Sequence, residues 1–306
     1  MTTTLSNMID EVVTNLSGYT YQQERTTYLR SSVTTTVSSS ASPTILSLGS
    51  TENVGKGVVE IGEELMWIDT FDRVGNTASV SPYGRGYLGT TASQHNADSK
   101  VTISPIFPRS SIKRAIDDTI RAAGSMLFAV KSTSFTYNAA ETTYAFNNLN
   151  ISNILSLMWQ EVGPSKEWRP VRRWSWDSAA DVTEFGAGAQ TVTIGDFITP
   201  GRTVKVIYAT DPVAFTTNGQ DFATQTGLPE SCKDVIILGA SYRLLTYLDP
   251  ARAAQVSPQA DETDSKRPYG ASQSATKQLY ALYTQRLQEE TQRQQAQYPI
   301  RVHYSR

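Results

Sequence analysis

The sequence predicts an α+β protein: a helical bundle with two inserted antiparallel β modules and an extended C-terminal tail. Three observations predict it. Apolar residues recur at helical spacing in four segments, 5–16, 112–123, 235–248 and 279–287. Between the first and second, and again between the second and third, lie short β-prone runs separated by Gly, Asn, Ser and Pro. The last residues alternate apolar and polar, which is strand period on a terminus. A helix with one apolar stripe cannot bury it alone, so the economical arrangement joins the four helices in one bundle with the β modules looped out. The expected boundaries are 1–25 (first bundle helix), 26–106 (first β module), 107–130 (bundle helix), 131–227 (second β module), 228–297 (C-terminal bundle helices) and 298–306 (docking tail).

In order along the chain, Leu5, Met8, Ile9, Val12, Val13 and Leu16 form an i, i+3, i+4 stripe ended by Ser17-Gly18. The first β module is read from the runs Val33–Val37, Thr44–Leu48, Gly57–Ile61, Leu65–Thr70, Thr77–Val80 and Val101–Ile103, with Gly75-Asn76 as a hairpin turn. They suit a small antiparallel barrel or sandwich. Pro108 then opens a helix with Ile112, Ala115, Ile116, Ile120 and Ala123 on one face, and Ser110 or Ser111 as the candidate cap. The second module is read from Thr143–Phe146, Ile154–Glu161, Glu167–Trp176, Gln190–Ile194 and Thr203–Thr210. Pro229 and Glu230 suit a helix start before Val235, Ile236, Ala240, Leu244, Leu245 and Leu248. The last helix, from about Ala271 to Gln297, carries Leu279, Leu282, Tyr283 and Leu287 in its first half and is polar from Gln288 onward. A polar half-helix is expected either in solvent or against a partner. Tyr298-Pro299 ends it, and Ile300, Val302 and Tyr304 alternate with Arg301, His303 and Ser305. Such a terminus is suited to adding onto another chain's sheet.

The chain has 306 residues, a net charge of −2, a single Cys (Cys232) and two His (His95 and His303). That excludes a global basic field for nucleic acid, an intrachain disulfide framework and a thiolate metal cage. No apolar run is long enough for a membrane span, and the N-terminus lacks a signal-peptide pattern. Charged residues are only 18%, with Ser, Thr and Gln in their place, as in β-rich structural proteins.

Gly84-Arg85-Gly86-Tyr87-Leu88-Gly89 has the letters of a dinucleotide fingerprint, but no apolar helical stripe follows it before Pro105. The glycines are expected to shape a tight loop, and no cofactor is expected. His95 has Asp98, Glu63 or Glu64 as conceivable orienters of a general base, yet no serine sits in Gly-x-Ser-x-Gly. The expected role of its ring is to hydrogen-bond loop backbone, and no catalytic or metal site is expected. Glu63-Glu64 and Asp117-Asp118 are expected at solvated surface, because neighbours on a strand or helix diverge. Trp159, Trp168, Trp174 and Trp176 with Arg169, Arg172 and Arg173 make an aromatic, basic patch. Core packing or an interface is the expected use of Trp168, Arg172, Trp174 and Trp176, and a sugar- or nucleic-acid-stacking platform is the alternative.

Ile61-Gly62-Glu63-Glu64-Leu65-Met66-Trp67-Ile68, then Ser79-Val80, then Gly84-Arg85-Gly86-Tyr87-Leu88-Gly89-Thr90-Thr91-Ala92 and His95, resembles a β module recurrent in structural proteins of tailed bacteriophages. There an "IG-E-M-V" strand precedes "RG-x-x-GT-x-A-x-x-H". The Tyr83-Gly84 before Arg85 departs from the commonest form. Phe107-Pro108-Arg109 with Ile112, Ala115 and Ile116, and Leu228-Pro229-Glu230 with Leu238-Gly239-Ala240 and Arg243-Leu244-Leu245, look like helices of phage head-to-tail adaptor (connector) proteins. The resemblance implies a non-enzymatic virion protein of the neck, assembled in the host cytoplasm. It implies a ring, commonly of twelve subunits, beneath the portal, extending the channel for passing double-stranded DNA without sequence-specific contacts. Portal, tail or further neck proteins would be its partners, with Arg293, Tyr298, Ile300, Arg301, Val302 and Tyr304 docking to portal. A minor tail or baseplate component, or a glycan-binding module of the virion, are the alternatives.

Overall fold

The computed structural model describes residues 3–17, 24–35, 42–147, 149–161, 167–246 and 271–299. Among them strands outnumber helices. Thirteen strands form three antiparallel sheets, and six α-helices accompany them. The expected helical bundle with inserted β modules is therefore wrong. A helical stripe shows that one face is buried, not what covers it, and two hydrophobic cores are built mainly from strand residues rather than between helices. Of the expected extended tail 298–306, residues 300–306 lie outside the described residues. The chain divides into two compact units, each built from separate stretches of sequence, and the division falls inside four of the helices.

One unit contains residues 7–116 and 239–279. Its sheet runs β1 (Arg25–Tyr28), β6 (Lys100–Ile103), β3 (Gly57–Ile61), β4 (Glu64–Asp72), β5 (Thr77–Val80), β2 (Ile45–Ser47). The two outer strands meet at a bridge between Leu29 and Leu48, where Gly49 N–H donates to the Tyr28 carbonyl at 2.8 Å. The sheet thus closes on itself at that corner, which removes part of an exposed edge. Leu29, Leu46, Leu48, Val59, Ile61, Met66, Ile68, Val80 and Val101 fill the interior. Of the expected strand at Val33–Val37, Val33 forms a bridge with His95 and residues 36–37 lie outside the described residues, while β1 went unread because Arg25-Thr26-Thr27-Tyr28 has no apolar alternation. Helix α1 (Leu5–Ser17) buries its predicted stripe except Val13, which is half-buried, and α2 (Arg109–Ala123) buries Ile112, Ile116 and Ile120. The start of α2 is not held by a serine. Arg109 N–H donates to Glu60 Oε1 at 2.6 Å. Burial pushes the Glu60 carboxyl up to about 7, against the lowering effect of that hydrogen bond.

The other unit contains residues 1–6, 117–238 and 280–306. A four-stranded sheet has the order β10 (Trp168–Pro170), β9 (Asn153–Gln160), β13 (Thr203–Thr210), β7 (Ala129–Thr136). A three-stranded sheet has the order β11 (Trp174–Asp177), β12 (Gln190–Ile194), β8 (Thr143–Phe146). Side chains of both sheets meet in one core, including Tyr144, Phe146, Ile154, Leu157, Val192, Ile194, Val204 and Val206. Short helices α3 (Val182–Phe185) and α4 (Phe222–Thr226) follow β11 and β13, each capped by an aspartate, Asp181 and Asp221. A 3-10 turn over Glu230–Cys232 leads into α5 (Lys233–Thr246), and α6 spans Ala271–Gln297.

The polar half of α6 is not left for solvent. The buried positions Leu279, Tyr283 and Leu287 continue with the same helical spacing into Glu290, Thr291 and Gln294, all buried. Each polar member has a partner in the chain. Glu290 accepts from Ser231 Oγ at 2.8 Å, and Thr291 Oγ1 donates to the Leu287 carbonyl at 2.7 Å. The Gln294 amide pairs with one backbone residue, donating to the Phe128 carbonyl at 2.6 Å and accepting from Phe128 N–H at 3.1 Å. Arg286 bonds Asp234 Oδ2 at 2.8 Å, fastening α6 to α5.

Candidate functional site

The residues expected to form the glycine loop converge. Gly84, Arg85, Gly86 and Gly89 lie between β5 and β6, and His95 follows them. They close around Glu64, the first residue of β4, which is wholly buried. Expecting Glu64 at solvated surface was wrong: the β3–β4 turn at Gly62-Glu63 turns Glu63 outward and Glu64 inward.

Both oxygens of Glu64 are saturated. Oε1 accepts from Arg85 Nε at 2.5 Å and Gly86 N–H at 3.1 Å. Oε2 accepts from Arg85 Nη2 at 2.8 Å, Ser93 N–H at 2.9 Å and His95 Nε2 at 2.9 Å. Arg85 also donates to the carbonyls of Thr34 and Ser93, at 2.6 and 2.7 Å. One side-chain pair therefore ties the start of β4, the 84–95 loop and the segment after β1 together. Burial pushes the Glu64 carboxyl up, but the Arg85, His95 and Ser93 hydrogen bonds outweigh it and hold it at about 2. Glu64 is consequently charged at neutral pH, and His95 must carry its proton on Nε2 to donate to it.

The glycines serve this closure. A Cβ on Gly84 would lie 2.9 Å from the carbonyls of Ser81 and Trp67, and Gly84 O accepts from Trp67 N–H at 2.9 Å. Gly86 has φ +65°, and a Cβ there would meet the Thr90 carbonyl at 2.6 Å. The loop opens a three-residue 3-10 turn, Tyr87–Gly89, and not the helix of a dinucleotide site. With its charge inside, the loop turns apolar groups outward: Tyr83 is 80% and Leu88 71% exposed. Both have positive φ, 58° and 55°. Non-glycine residues held in this region mark a backbone constrained by its surroundings.

His95 is not arranged as a proton relay. Ser93 Oγ, at 3.4 Å, and Glu64 both address the same nitrogen, Nε2, whereas a relay needs one partner on each nitrogen. Its ring partner is a carboxylate, not the loop backbone that was expected. Among the described residues no group of His, Cys, Asp and Glu is placed to hold a metal ion. Burial, first of all, pushes the Cys232 thiol up to about 12, so it is not a thiolate nucleophile.

The aromatic patch is not brought together. Glu167–Trp176, read as one strand, is two strands in different sheets. Trp168 lies on β10 with Lys205 Nζ 5.9 Å from its ring centre. Trp174 and Trp176 share one face of β11, as the alternation predicts, and pack against the sandwich core. Arg172 is exposed, its N–H held by Asp196 Oδ2 at 2.5 Å. Of the residues expected to dock to portal, Arg293 is exposed with Glu290 3.7 Å away, and Tyr298 is half-buried with its N–H on the Gln294 carbonyl. Ile300, Arg301, Val302 and Tyr304 lie outside the described residues.

No protein-family model matches the chain, and no curated protein matches it in sequence.

Proposed function

We propose that this chain is a structural virion protein of a tailed bacteriophage, a ring-forming subunit of the neck that joins portal to tail and surrounds the passing DNA. One observation carries the reading beyond the sequence resemblance. The Arg-Gly…His residues of the phage-like motif, with Glu64, are spent on fastening a loop to a sheet, and the loop offers Tyr83 and Leu88 outward. Rigidly held exposed aromatic and aliphatic side chains suit contact with another subunit. Arg293, Tyr298 and the tail 300–306 form the docking arm for portal in this reading. A net charge of −2 suits a channel through which DNA slides, since many phosphate contacts would retain it.

Mass photometry and negative-stain averaging of the purified chain, alone and with portal, test the reading. A ring with rotational symmetry, or a stoichiometric complex with portal, is expected. A stable monomer that also fails to bind portal refutes it.

A further inference from the structure

The sandwich turns one aromatic side chain wholly into solvent. Phe197, in the loop from β12 to β13, is 105% exposed. The backbone on both sides of it is fixed. Gly195 N–H donates to the Arg173 carbonyl at 2.8 Å, and Asp196 Oδ2 accepts from the backbone N–H groups of Arg172 and Arg173. On the other side Ile198 is buried in the sandwich core. Phe197 is thus presented between two anchored neighbours, which leaves little loop freedom to lose on docking. Arg172 and Arg173, whose backbone holds the loop, are both exposed, and among the described residues neither forms an ion pair.

The other end of the same strand pair carries the opposite charge. Strands β11 and β12 pair from Trp174 with Ile194 to Asp177 with Thr191. Phe197 and the two arginines lie beyond the first of these pairs. Beyond the last, α3 presents Val182, 62% exposed, with Asp177, Asp181 and Glu184 exposed around it. Asp177 accepts from Ala179 N–H, and Asp181 caps α3 through Thr183. Among the described residues none of the three carboxylates is in a salt bridge. An apolar side chain among arginines at one end therefore matches an apolar side chain among carboxylates at the other. The paired stretch holds the ends about 10 Å apart or more, so the two patches cannot meet within one subunit.

We propose that Phe197, flanked by Arg172 and Arg173, docks on the α3 end of a second copy of this chain, against Val182. The unlike ends attract, and a head-to-head approach sets like charges against each other, so copies meet in one orientation. A contact between two different patches of identical subunits is heterologous. Each copy uses its basic end on one neighbour and its acidic end on the next, and the series either closes into a ring or grows as a filament. Closure into a ring rests on the reading proposed above, whereas the contact itself does not.

Sedimentation velocity of the full-length chain over a concentration series tests the contact, with circular dichroism to verify that each variant is folded. Phe197→Ser should weaken self-association about thirtyfold or more, as loss of a central aromatic anchor does. Arg172→Glu with Arg173→Glu should weaken it too. Adding Asp177→Lys and Glu184→Lys to that same chain should restore it, because both ends are then reversed. Such a rescue is not produced if the arginines only support the loop. Self-association of Phe197→Ser equal to that of the unaltered chain overturns the proposal and leaves a ring built on other contacts standing. Failure of the quadruple charge reversal to restore what the double reversal removed overturns it in the same way. An unaltered chain that stays monomeric at every concentration also overturns it, and the ring reading falls with it only if portal is not bound either.

Discussion

Replacing Glu64 by Gln isolates the closure on which the first unit depends. The two side chains have almost the same volume, so no cavity forms. The amide NH2, however, must face donors, because both Glu64 oxygens accept only from N–H groups of Arg85, Gly86, Ser93 and His95. Arg85, 7% exposed, is left as a buried charge without its counter-ion. Losing one partner of a buried pair costs about 3–5 kcal/mol. Linkage gives a figure of the same size. The Glu64 carboxyl lies at about 2 in the fold against an ordinary 4.5, which corresponds to about 3 kcal/mol. Its pKa is depressed, so this stabilisation is fully present above pH 4.5 and is lost as pH falls toward 2. Urea unfolding followed by circular dichroism at a series of pH values measures the difference between Glu64→Gln and the unaltered chain. The expected difference is about 3 kcal/mol at pH 6, shrinking steadily below pH 4.5. A difference under about 1 kcal/mol at pH 6, or one independent of pH, refutes the account of Glu64 as the saturated anion of the loop.

Glu60 titrates in the opposite sense: raised to about 7, it favours the protonated form in the fold, so its contribution falls as pH rises from 4.5 through 7. Glu60→Gln, which keeps an acceptor for Arg109 N–H, should match the unaltered chain at pH 4 and exceed it at pH 8 by up to about 3 kcal/mol in the same assay. Gly86→Val should cost about 2–3 kcal/mol, through a positive φ and a collision with Thr90 O, and an unchanged Tm would contradict the role given to that glycine. Gln294→Leu leaves Phe128 N–H and C=O unpaired and should lower stability by about 1–3 kcal/mol in thermal unfolding, although it makes the helix face more apolar. Deleting residues 298–306 should leave the circular dichroism spectrum unchanged but weaken portal capture in a pull-down, and undiminished capture would remove the docking role of the arm.

Periodicity made most individual elements legible, because it reports a local fact, the burial of one face. The stripe of α1, the runs behind β3, β5, β12 and β13, and the shared face of Trp174 and Trp176 could all be read from residue types alone. What failed needed partners distant in sequence. Fold class failed because a stripe is silent about what lies across from it. Strand β7 was not read as a strand, since Lys131-Ser132-Thr133-Ser134 looks like loop until β13 pairs with it. The α2 start was assigned to Ser110 or Ser111, whereas its acceptor, Glu60, is 49 residues earlier. The motif pointed to Arg85 and His95, but neighbouring-residue geometry assigned Glu64 to solvent, and only the closed loop shows it inside. In α6 the spacing of Glu290, Thr291 and Gln294 continued the buried face, and their polarity concealed it. Position on the helix was the better guide than residue type.

The closure of the barrel also dictates a timetable. Strands β3, β4 and β5 are consecutive and joined by short turns, so they can pair as soon as they exist. Strand β1 cannot, for Arg25 pairs with Ile103, and Val33 bridges to His95. The earliest-made strand waits for the last-made one, and Arg85 reaches the Thr34 carbonyl only after both have come together. Closing so long a loop carries an entropic cost before any contact repays it, which slows folding. During that interval β3, whose other neighbour is β6, offers an open edge to other chains. Early association during synthesis is therefore the specific hazard of this topology, and the ion pair that closes the loop is formed too late to prevent it.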